Sequence, residues 1–317
     1  MKPNPTERPW TVYSDRLDFV LPNFVRVSWS SVRADGVWRS RFSRVRAAVA
    51  DIEWIAVAQR VRPCALIQLR SQDFDVRTGR WAIHGLAWRA LRESGPRIGA
   101  WWLDSAIPEG TASKLVVVGS EAVTSEFNEA WEFDDHETMG TLLGYPACCR
   151  QFFDQVCVAQ HCIDTTWAMA TSAPRMDGRE HGRLVKGPIA PNIMLQSLGI
   201  RAVPHVPCSF DCHETVRLAE DMAGVALKAG YEEEYRWLQS ILSWPVEWSA
   251  LHGIAEIRTP VLKLCIPTDA TAGEYLVRLI GKTQPAEAAK GIGFPYNFSE
   301  RSPQPVLVTL SNGTNKS

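Results

Sequence analysis

The sequence predicts an α+β fold, with a mixed α/β part first, a helical cysteine-bearing part next, and a small β segment near the C-terminus. Segments with apolar residues at helical spacing alternate with short apolar runs in the first part of the chain. Helical and strand-like patterns are segregated in the rest, which is typical of α+β proteins. The 317 residues, 45% hydrophobic and 22% charged, suffice for a buried core and exclude disordered or collagen-like chains.

The N-terminal part is predicted to begin with a loose arm over residues 1–15. Alternating apolar and polar residues predict a strand over 19–29, and apolar residues at helical spacing predict a helix over 38–60. The remaining elements of this part are a strand over 65–69, a helix over 81–91 closed by Ser94, Gly95 and Pro96, and strands over 98–103 and 115–118.

From residue 134 onwards, helical patterns dominate. A helix over 136–143 is ended by Gly144, and Pro146 suits the first turn of a helix over 146–160. The later elements are a loop over 169–188, a helix over 192–198, an extended segment over 200–206, helices over 210–228 and 231–243, a β-rich segment over 247–266 and a strand over 275–280. These patterns divide the chain into parts 1–133 and 134–281 and an irregular tail over 282–317.

The formal net charge of −1 conceals an asymmetry along the chain. Residues 1–100 contain 17 Lys and Arg against 9 Asp and Glu, whereas residues 101–317 contain 17 against 26. A near-neutral total argues against a general nucleic-acid binder without excluding one. Because arginine suits carboxylate and phosphate groups, the basic part favours a small anionic substrate.

Eight cysteines are too few for a disulfide scaffold in a chain of this length. The first ten residues contain three prolines and lack the apolar core of a secretory signal. The longest aliphatic run, Leu115 to Val118, is too short for a membrane span. We therefore expect a cytoplasmic protein without membrane contact, in which clustered thiols indicate a metal site or catalysis.

Two short stretches carry the strongest chemical signal. Residues 144–150 read Gly-Tyr-Pro-Ala-Cys-Cys-Arg, and residues 205–213 read His-Val-Pro-Cys-Ser-Phe-Asp-Cys-His. In each, a proline precedes cysteines at a predicted helix start, where unpaired N–H groups and the helix dipole favour a thiolate. Ser209 is the predicted cap of the second helix, and Asp211 is expected in its first turn. The predicted metal ligands are Cys148, Cys149, Cys208 and Cys212.

The spacing of these cysteines bears on the choice of metal. Cys208 and Cys212 are one helical turn apart, which suits either zinc or a cluster. The adjacent Cys148 and Cys149 diverge by about 100° on a helix, which favours separate corners of a [4Fe–4S] cluster. The zinc alternative would use His205, Cys208, Cys212 and a further ligand, His213 or Cys149. The other cysteines are expected in the core: Cys64, Cys157, Cys162 and Cys265.

The motifs Gly-Tyr-Pro-x-Cys-Cys, followed by Phe152 and Phe153, and His-x-Pro-Cys-Ser-x-x-Cys resemble those of a prokaryotic domain family of unknown function. The resemblance covers about 20 of the 317 residues. That family has no assigned reaction, so the resemblance implies only that the two stretches belong together. It supports treating five residues as one unit: Cys148, Cys149, His205, Cys208 and Cys212.

Other residues are candidates for proton transfer and substrate binding. Glu247 and His252 can form an acid–base pair, although His252 alternatively bonds to backbone at a strand end. His205 is a further candidate for moving protons. Arg150 can bind a substrate carboxylate or offset the charge of the metal site.

The combined prediction is an iron–sulfur enzyme with lyase or sulfur-transfer chemistry on a small anionic substrate. The first alternative is a zinc protein whose structural Cys/His site supports binding of nucleic acid or a peptide. A thiol enzyme without metal is the third hypothesis.

Overall fold

A computed structural model of the chain describes residues 10–14, 21, 24–70, 73–91, 113–176, 180–270, 274–288 and 307–309. These residues form two β-sheets and a set of helices, which confirms the predicted α+β class. Among the helices in these ranges, none is both long enough and apolar enough to cross a membrane.

The strands and helices are numbered in chain order. The strands are β1 (Arg26–Trp29), β2 (Cys64–Arg70), β3 (Ala87–Ala90), β4 (Ser113–Gly119), β5 (Gly182–Val185), β6 (Val246–Leu251), β7 (Ile254–Arg258), β8 (Leu262–Pro267), β9 (Tyr275–Leu279) and β10 (Leu307–Thr309). The α-helices are α1 (Val32–Ala58), α2 (Phe74–Ile83), α3 (Glu121–Glu132), α4 (His136–Leu142), α5 (Ala147–Phe152), α6 (Thr166–Ala170), α7 (His213–Lys228) and α8 (Glu232–Leu242).

The larger sheet has the spatial order β10-β1-β8-β7-β6-β9-β5. Its neighbouring strands are antiparallel except for β5 and β9, which are parallel. The turn between β6 and β7 contains His252 and Gly253 at φ values of 51° and 81°. A two-residue hairpin turn of the primed type requires such positive angles, and this explains the glycine there.

The smaller sheet is antiparallel, in the order β2-β4-β3, and both of its faces are covered. One face packs against α1 and α2, and the other packs against α3 and α4. Burial on both faces explains why β4 contains a continuous run of apolar residues rather than an alternating pattern.

Helix α1 connects the two sheets. The hydroxyl of Ser31 accepts a hydrogen bond from the Ala34 N–H at 3.0 Å and caps the helix. The helix therefore begins at Val32, earlier than the predicted start at residue 38. Successive parts of its apolar face contribute to the core of the large sheet, to the packing of α7, and to the core of the small sheet.

Several predicted elements differ from the structure. The helix predicted over 81–91 is wrong, because Gly85 at φ 68° follows the end of α2 and residues 87–90 pair with β4 as strand β3. The helix predicted over 192–198 shrinks to a 3₁₀ turn at Gln196–Leu198. There the Asn192 side chain accepts from the Met194 N–H at 3.2 Å and donates to the Leu242 carbonyl at 3.1 Å, which competes with helix formation.

Further differences concern loops. The predicted loop over 169–188 contains the end of α6 and strand β5, and residues 202–205 of the predicted extended segment form bends. The helix predicted over 146–160 continues from α5 into a π-helical turn over Phe153–Val158. Residues 10–14 of the predicted loose arm include Tyr13, which is buried.

The division at residues 133 and 281 stays a prediction, and the large sheet contains strands from all three predicted parts. The strand predicted over 98–103 lies outside the described residues, as does most of the tail predicted over 282–317.

Candidate metal centre

Gly144 and Pro146 set the direction of the chain that carries the first cysteine pair. Gly144 has a φ of 70°, a left-handed conformation that favours glycine. Its N–H and the next one bond back to carbonyl oxygens of the last turn of α4 at 2.9 and 3.0 Å, as in a Schellman motif. Pro146 is then the N-cap of α5, and Cys148 and Cys149 lie in its first turn. The glycine and proline of the first motif therefore have a defined structural role.

The second cysteine pair lies on the turn before α7 rather than on one helical face. Ser209 was predicted to cap a helix beginning at 210, but α7 begins at His213 with Cys212 as its N-cap. The Ser209 hydroxyl instead donates to a carboxylate oxygen of Asp211 at 2.5 Å. This local bond favours a turn over residues 209–211, so Asp211 precedes the helix and Cys208 approaches Cys212 across the turn.

The four cysteines converge on one point, and we call them the thiol cluster: Cys148, Cys149, Cys208 and Cys212. Their sulfur atoms all lie within 4.8 Å of one another. The distances are 3.9 Å from Cys148 to Cys149, 3.8 Å from Cys148 to Cys212 and 3.7 Å from Cys149 to Cys212. Cys148 is half-buried and the other three are buried. Four thiols in this arrangement can bind a metal.

The adjacent Cys148 and Cys149 do not diverge as the helical geometry suggested. Their Cα–Cβ bonds point in different directions. Each sulfur lies one bond beyond Cβ, however, so rotation about χ1 can turn the two sulfurs towards each other, and they lie 3.9 Å apart. The spacing of these two cysteines along the helix therefore does not prevent both sulfurs from reaching one ion, and the choice between an iron–sulfur cluster and zinc stays a prediction.

The electrostatics of the cluster favour a thiolate at the helix N-cap. Hydrogen bonds from the thiols of Cys148, Cys149 and Cys208 lower the pKa of Cys212, and a contact with Thr215 acts in the same direction. Conversely, the pKa of Cys149 is raised, because Cys148 and the other thiols compete for the same charge and burial adds to the effect. In the absence of a cation, four thiols in this space cannot all ionise.

Thr215 contacts two members of the cluster. Its backbone N–H donates to the Cys212 sulfur at 3.5 Å, and its hydroxyl lies 3.6 Å from the Cys149 sulfur. The side chain is completely buried. Thr215 was not among the residues predicted from the sequence, although its position three residues after Cys212 is the usual spacing between an N-cap residue and the N–H group that it accepts from.

His205 lies beside the cluster rather than in it. Its Nε2 is 2.9 Å from the Thr215 hydroxyl, and its ring centroid is 5.3 Å from that of Tyr145. Burial lowers its pKa to about 3 and keeps the ring neutral. The potential ligand atoms that gather at this point are the four sulfurs, and the exposed His213 is not among them. The histidines of the zinc alternative are therefore not brought to the thiols.

Arg150 faces away from the thiols. Its guanidinium donates to Glu137 at 2.8 and 3.1 Å and to the Tyr145 carbonyl at 2.6 Å. These bonds hold α5 against α4 and the loop that follows it. The structure does not bring this side chain to the cluster as a free anion ligand.

Glu247 and His252 are not brought together. Glu247 lies near the start of β6 and His252 in the turn after its end, so about 17 Å of extended chain separates them. Glu247 is buried and forms ion pairs with Arg258 and Arg278, its cross-strand neighbours on β7 and β9. His252 is exposed in the hairpin turn. The predicted acid–base pair fails because strand residues five positions apart cannot meet.

The remaining cysteines have surroundings of a different kind. Cys64, Cys157 and Cys162 are buried, as expected, and Cys265 is half-buried on β8. Burial raises the pKa of Cys64 and of Cys157 to about 12, and it also raises that of Cys162. These thiols stay protonated near neutral pH.

Trp10 covers one side of the second cysteine segment. Its indole N–H donates to the Cys208 carbonyl at 3.0 Å, and its ring packs edge-on against Phe152 at 5.0 Å between centroids. The contact joins residues 198 positions apart, so no local pattern in the sequence indicates it.

A cavity of about 260 Å³ lies between α1, strand β2, α2 and residues 196–201. Arg46, Arg77 and Arg201 lie on its wall together with Glu53 and two tryptophans. Arg201 pairs with Glu53 at 2.6 Å, and its charge also acts on His205. An arginine-lined cavity thus lies within electrostatic reach of the residues that surround the cluster.

Comparison of the chain with protein-family models, with curated proteins and with solved structures finds no match. The resemblance of the two cysteine motifs to a prokaryotic domain family therefore stays a prediction.

Proposed function

We propose that the thiol cluster binds a single metal ion through four thiolates, and that zinc is the ion it takes. Three sulfur–sulfur distances of 3.7 to 3.9 Å carry this proposal. A tetrahedral ion with metal–sulfur bonds of about 2.3 Å has sulfur–sulfur edges of about 3.8 Å. The cysteines therefore need little rearrangement to surround one ion.

A site with four cysteine ligands is closed, and closed zinc sites are structural. Here the ion would join two segments distant in sequence, residues 144–150 and 205–213. Neither segment has regular structure across its whole length, and each carries two ligands. The metal would thus take the place of a covalent cross-link in a compartment where thiols stay reduced.

A second candidate is the [4Fe–4S] enzyme with lyase or sulfur-transfer chemistry on a small anionic substrate. Two observations support it. Cys148 is half-buried, which leaves one corner of the site accessible, and the cavity lined by arginines and carboxylates offers space for a small molecule. A cluster is larger than one ion, so its sulfur ligands would have to move apart.

A binding module for nucleic acid or a peptide has weaker support. Arginines on α1 already have partners, since Arg39 pairs with Asp35 and Arg44 pairs with Glu233 and Glu234. Arginines of the cavity are paired as well, Arg77 with Asp51 and Arg201 with Glu53, so a small molecule is preferred only because the cavity offers an enclosed space.

A cytoplasmic location is part of the proposal. All eight cysteines are free thiols, and a thiolate centre of this kind requires that they stay reduced. The resemblance to a prokaryotic domain family is compatible with this location.

Metal and acid-labile sulfide analysis of the anaerobically purified full chain tests the two candidates. Zinc at one per chain without sulfide supports the first, whereas iron and sulfide in equal amounts support the second. Cys212→Ser should lose the metal, while Cys157→Ser, which changes a buried cysteine outside the cluster, should retain it. Wild-type protein without either metal, even after reconstitution under reducing conditions, would overturn both.

A further inference from the structure

Thr215 is placed to act on two ligands of the centre at once. Its backbone N–H points to the Cys212 sulfur at 3.5 Å and its hydroxyl to the Cys149 sulfur at 3.6 Å. The hydroxyl also lies 2.9 Å from Nε2 of His205. These atoms form a continuous chain from the imidazole ring to a sulfur of the cluster.

The chemistry of a bound metal fixes the direction of these hydrogen bonds. A metal-bound thiolate has no proton, so the sulfur of Cys149 can only accept. The Thr215 hydroxyl must then donate to it, and its oxygen accepts from the N–H at Nε2 of His205. This places the single proton of the neutral ring on Nε2 and leaves Nδ1 as an acceptor.

The surroundings of His205 are consistent with that tautomer. The ring is 5% exposed, and Nδ1 has no hydrogen-bond partner among the described residues. Tyr145 lies over the ring, and the charges of Arg62 and Arg201 act on it. Burial, which has the largest effect, and the two nearby cations disfavour a second proton on the ring, although the charge of Cys212 acts in the opposite direction.

We propose that Thr215 and His205 are positioning residues of the metal centre, which form a relay that holds the Cys149 thiolate in place: Nε2–H of His205 to the Thr215 hydroxyl, and that hydroxyl to the sulfur. The inference rests on the proposed metal centre, because it requires Cys149 to be a thiolate ligand. Hydrogen bonds to ligands from outside the coordination shell orient them and tune the metal.

The relay predicts a graded loss of metal affinity. Thr215→Val removes the hydroxyl but keeps the shape and the backbone N–H, and should weaken zinc binding by about 10- to 100-fold. Thr215→Ser keeps the hydroxyl and should restore most of the affinity. His205→Leu should cause a smaller loss, because the hydroxyl can still donate but is no longer oriented, and His205→Gln should recover part of it through its amide N–H.

The experiment is competition for Zn²⁺ between each full-length variant and a chromophoric chelator, together with absorption spectra of the Co²⁺-loaded proteins. Loss of a hydrogen bond to the thiolate should shift the sulfur-to-cobalt charge-transfer band of Thr215→Val to longer wavelength, which a merely structural role would not do. Thr124→Val is the matched control. Thr124 is also completely buried in a first helical turn, but its hydroxyl bonds to the Glu121 carbonyl.

A double variant tests whether His205 acts through Thr215. In the Thr215→Val background, His205→Leu should cause no further loss of affinity. The relay would be overturned if the double variant lost zinc affinity by the product of the two single-variant factors. It would also be overturned if Thr215→Val had the affinity and spectrum of the wild type. If Thr215→Val does not fold, the relay is tested by comparing the zinc affinities of His205→Leu and His205→Gln, and equal affinities would overturn it. Wild-type protein that binds neither ion would instead overturn the metal centre itself.

Discussion

Two buried regions of this protein gather groups that can carry negative charge, and they differ in the hydrogen-bond donors that the protein supplies to those groups. One is the thiol cluster. The other, which we call the acid centre, contains the carboxylates of Asp164 and Asp269, both almost completely buried. Asp164 accepts from the Thr166 N–H and from the Trp248 indole, each at 3.1 Å. Asp269 accepts from the N–H groups of residues 163 and 164, each at 3.3 Å.

Among the described contacts, Thr215 is the only residue outside the thiol cluster that is placed to donate hydrogen bonds to its sulfur atoms. The remaining contacts of the four sulfurs are with one another. The protein therefore supplies N–H donors to both carboxylates of the acid centre, whereas the thiol cluster has few such donors among the described contacts. This difference supports the proposal that a cation completes the thiol cluster, whereas the acid centre needs none.

The largest expected effect comes from removing one buried thiol at each region, a predicted metal ligand of the thiol cluster and a neighbour of the acid centre. Cys212→Ala should abolish metal binding and cost more than about 4 kcal/mol of unfolding free energy, because metal binding is part of the folding free energy. Cys162→Ala, which removes a buried thiol bonded to the Asp164 carbonyl at 3.2 Å, should cost about 1 kcal/mol. Denaturant unfolding with and without a chelator measures both losses. Equal losses that the chelator does not change would contradict the distinction between the regions.

The second effect is a pH dependence that belongs to the acid centre. Burial, followed by repulsion from Asp269, raises the pKa of Asp164 to about 6. A carboxyl with a raised pKa binds its proton more tightly in the folded state, so its stabilising effect is complete below about pH 4 and is lost as the pH rises to about 6. The loss amounts to about 3 kcal/mol. Metal binding to thiolates has the opposite sign, because it releases protons and strengthens as the pH rises.

Asp164→Asn separates these two contributions. The variant has no proton to lose at this position, so its stability should be nearly constant between pH 4 and pH 6 when measured on metal-free protein. The wild type should decline over the same interval. A decline of the same size in the variant would assign the pH dependence to other groups.

The two regions also differ in what the sequence reveals. The thiol cluster was predictable because its residues carry chemistry by type, and because a glycine or proline marks each turn that presents them. Cys148 and Cys149 follow a left-handed Gly144 and a capping Pro146, both visible as motifs. The acid centre was not predicted, since single aspartates in loops 105 residues apart give no local signal.

The difference between local and long-range contacts also explains which structural predictions were right and which were wrong. Helix α1 follows from helical periodicity, strand β4 from a short apolar run and the β6–β8 hairpins from a β-rich stretch, and all three signals are local. The Glu247–His252 pair failed because closeness in sequence along a strand means separation in space. The start of α7 was misplaced because the Ser209–Asp211 bond competes with helix formation there. Thr215 and Trp10 act through contacts that only the folded chain creates.

A third test perturbs the thiol cluster without touching its residues. A Cβ on Gly187 would lie 2.6 Å from the Phe210 carbonyl oxygen, inside the turn that presents the second cysteine pair. Gly187→Ala should shift this turn, cost about 1–3 kcal/mol and weaken metal binding. The pH dependence assigned to Asp164 should stay unchanged. Gly224→Ala on α7 is the control, since a Cβ there meets nothing within 4 Å and should be neutral or slightly stabilising.

The smallest expected effect is that of Arg150, which is adjacent to the cluster in sequence but not engaged with it. Its three guanidinium nitrogens bond to Glu137 and to the Tyr145 carbonyl, so Arg150→Ala removes a link between α4 and α5 and leaves the sulfurs as they are. We expect a loss of at most about 1 kcal/mol, because the ion pair is partly exposed. Zinc affinity should change by less than about twofold, well below the loss expected for any residue that donates to a ligand. Glu137→Gln should cost less stability, because the amide oxygen still accepts from Arg150 and the bond to the Tyr145 carbonyl stays in place. A tenfold loss of metal affinity in Arg150→Ala alone would show that its positive charge offsets that of the thiolates, and would extend the cationic environment of the cluster beyond the metal itself.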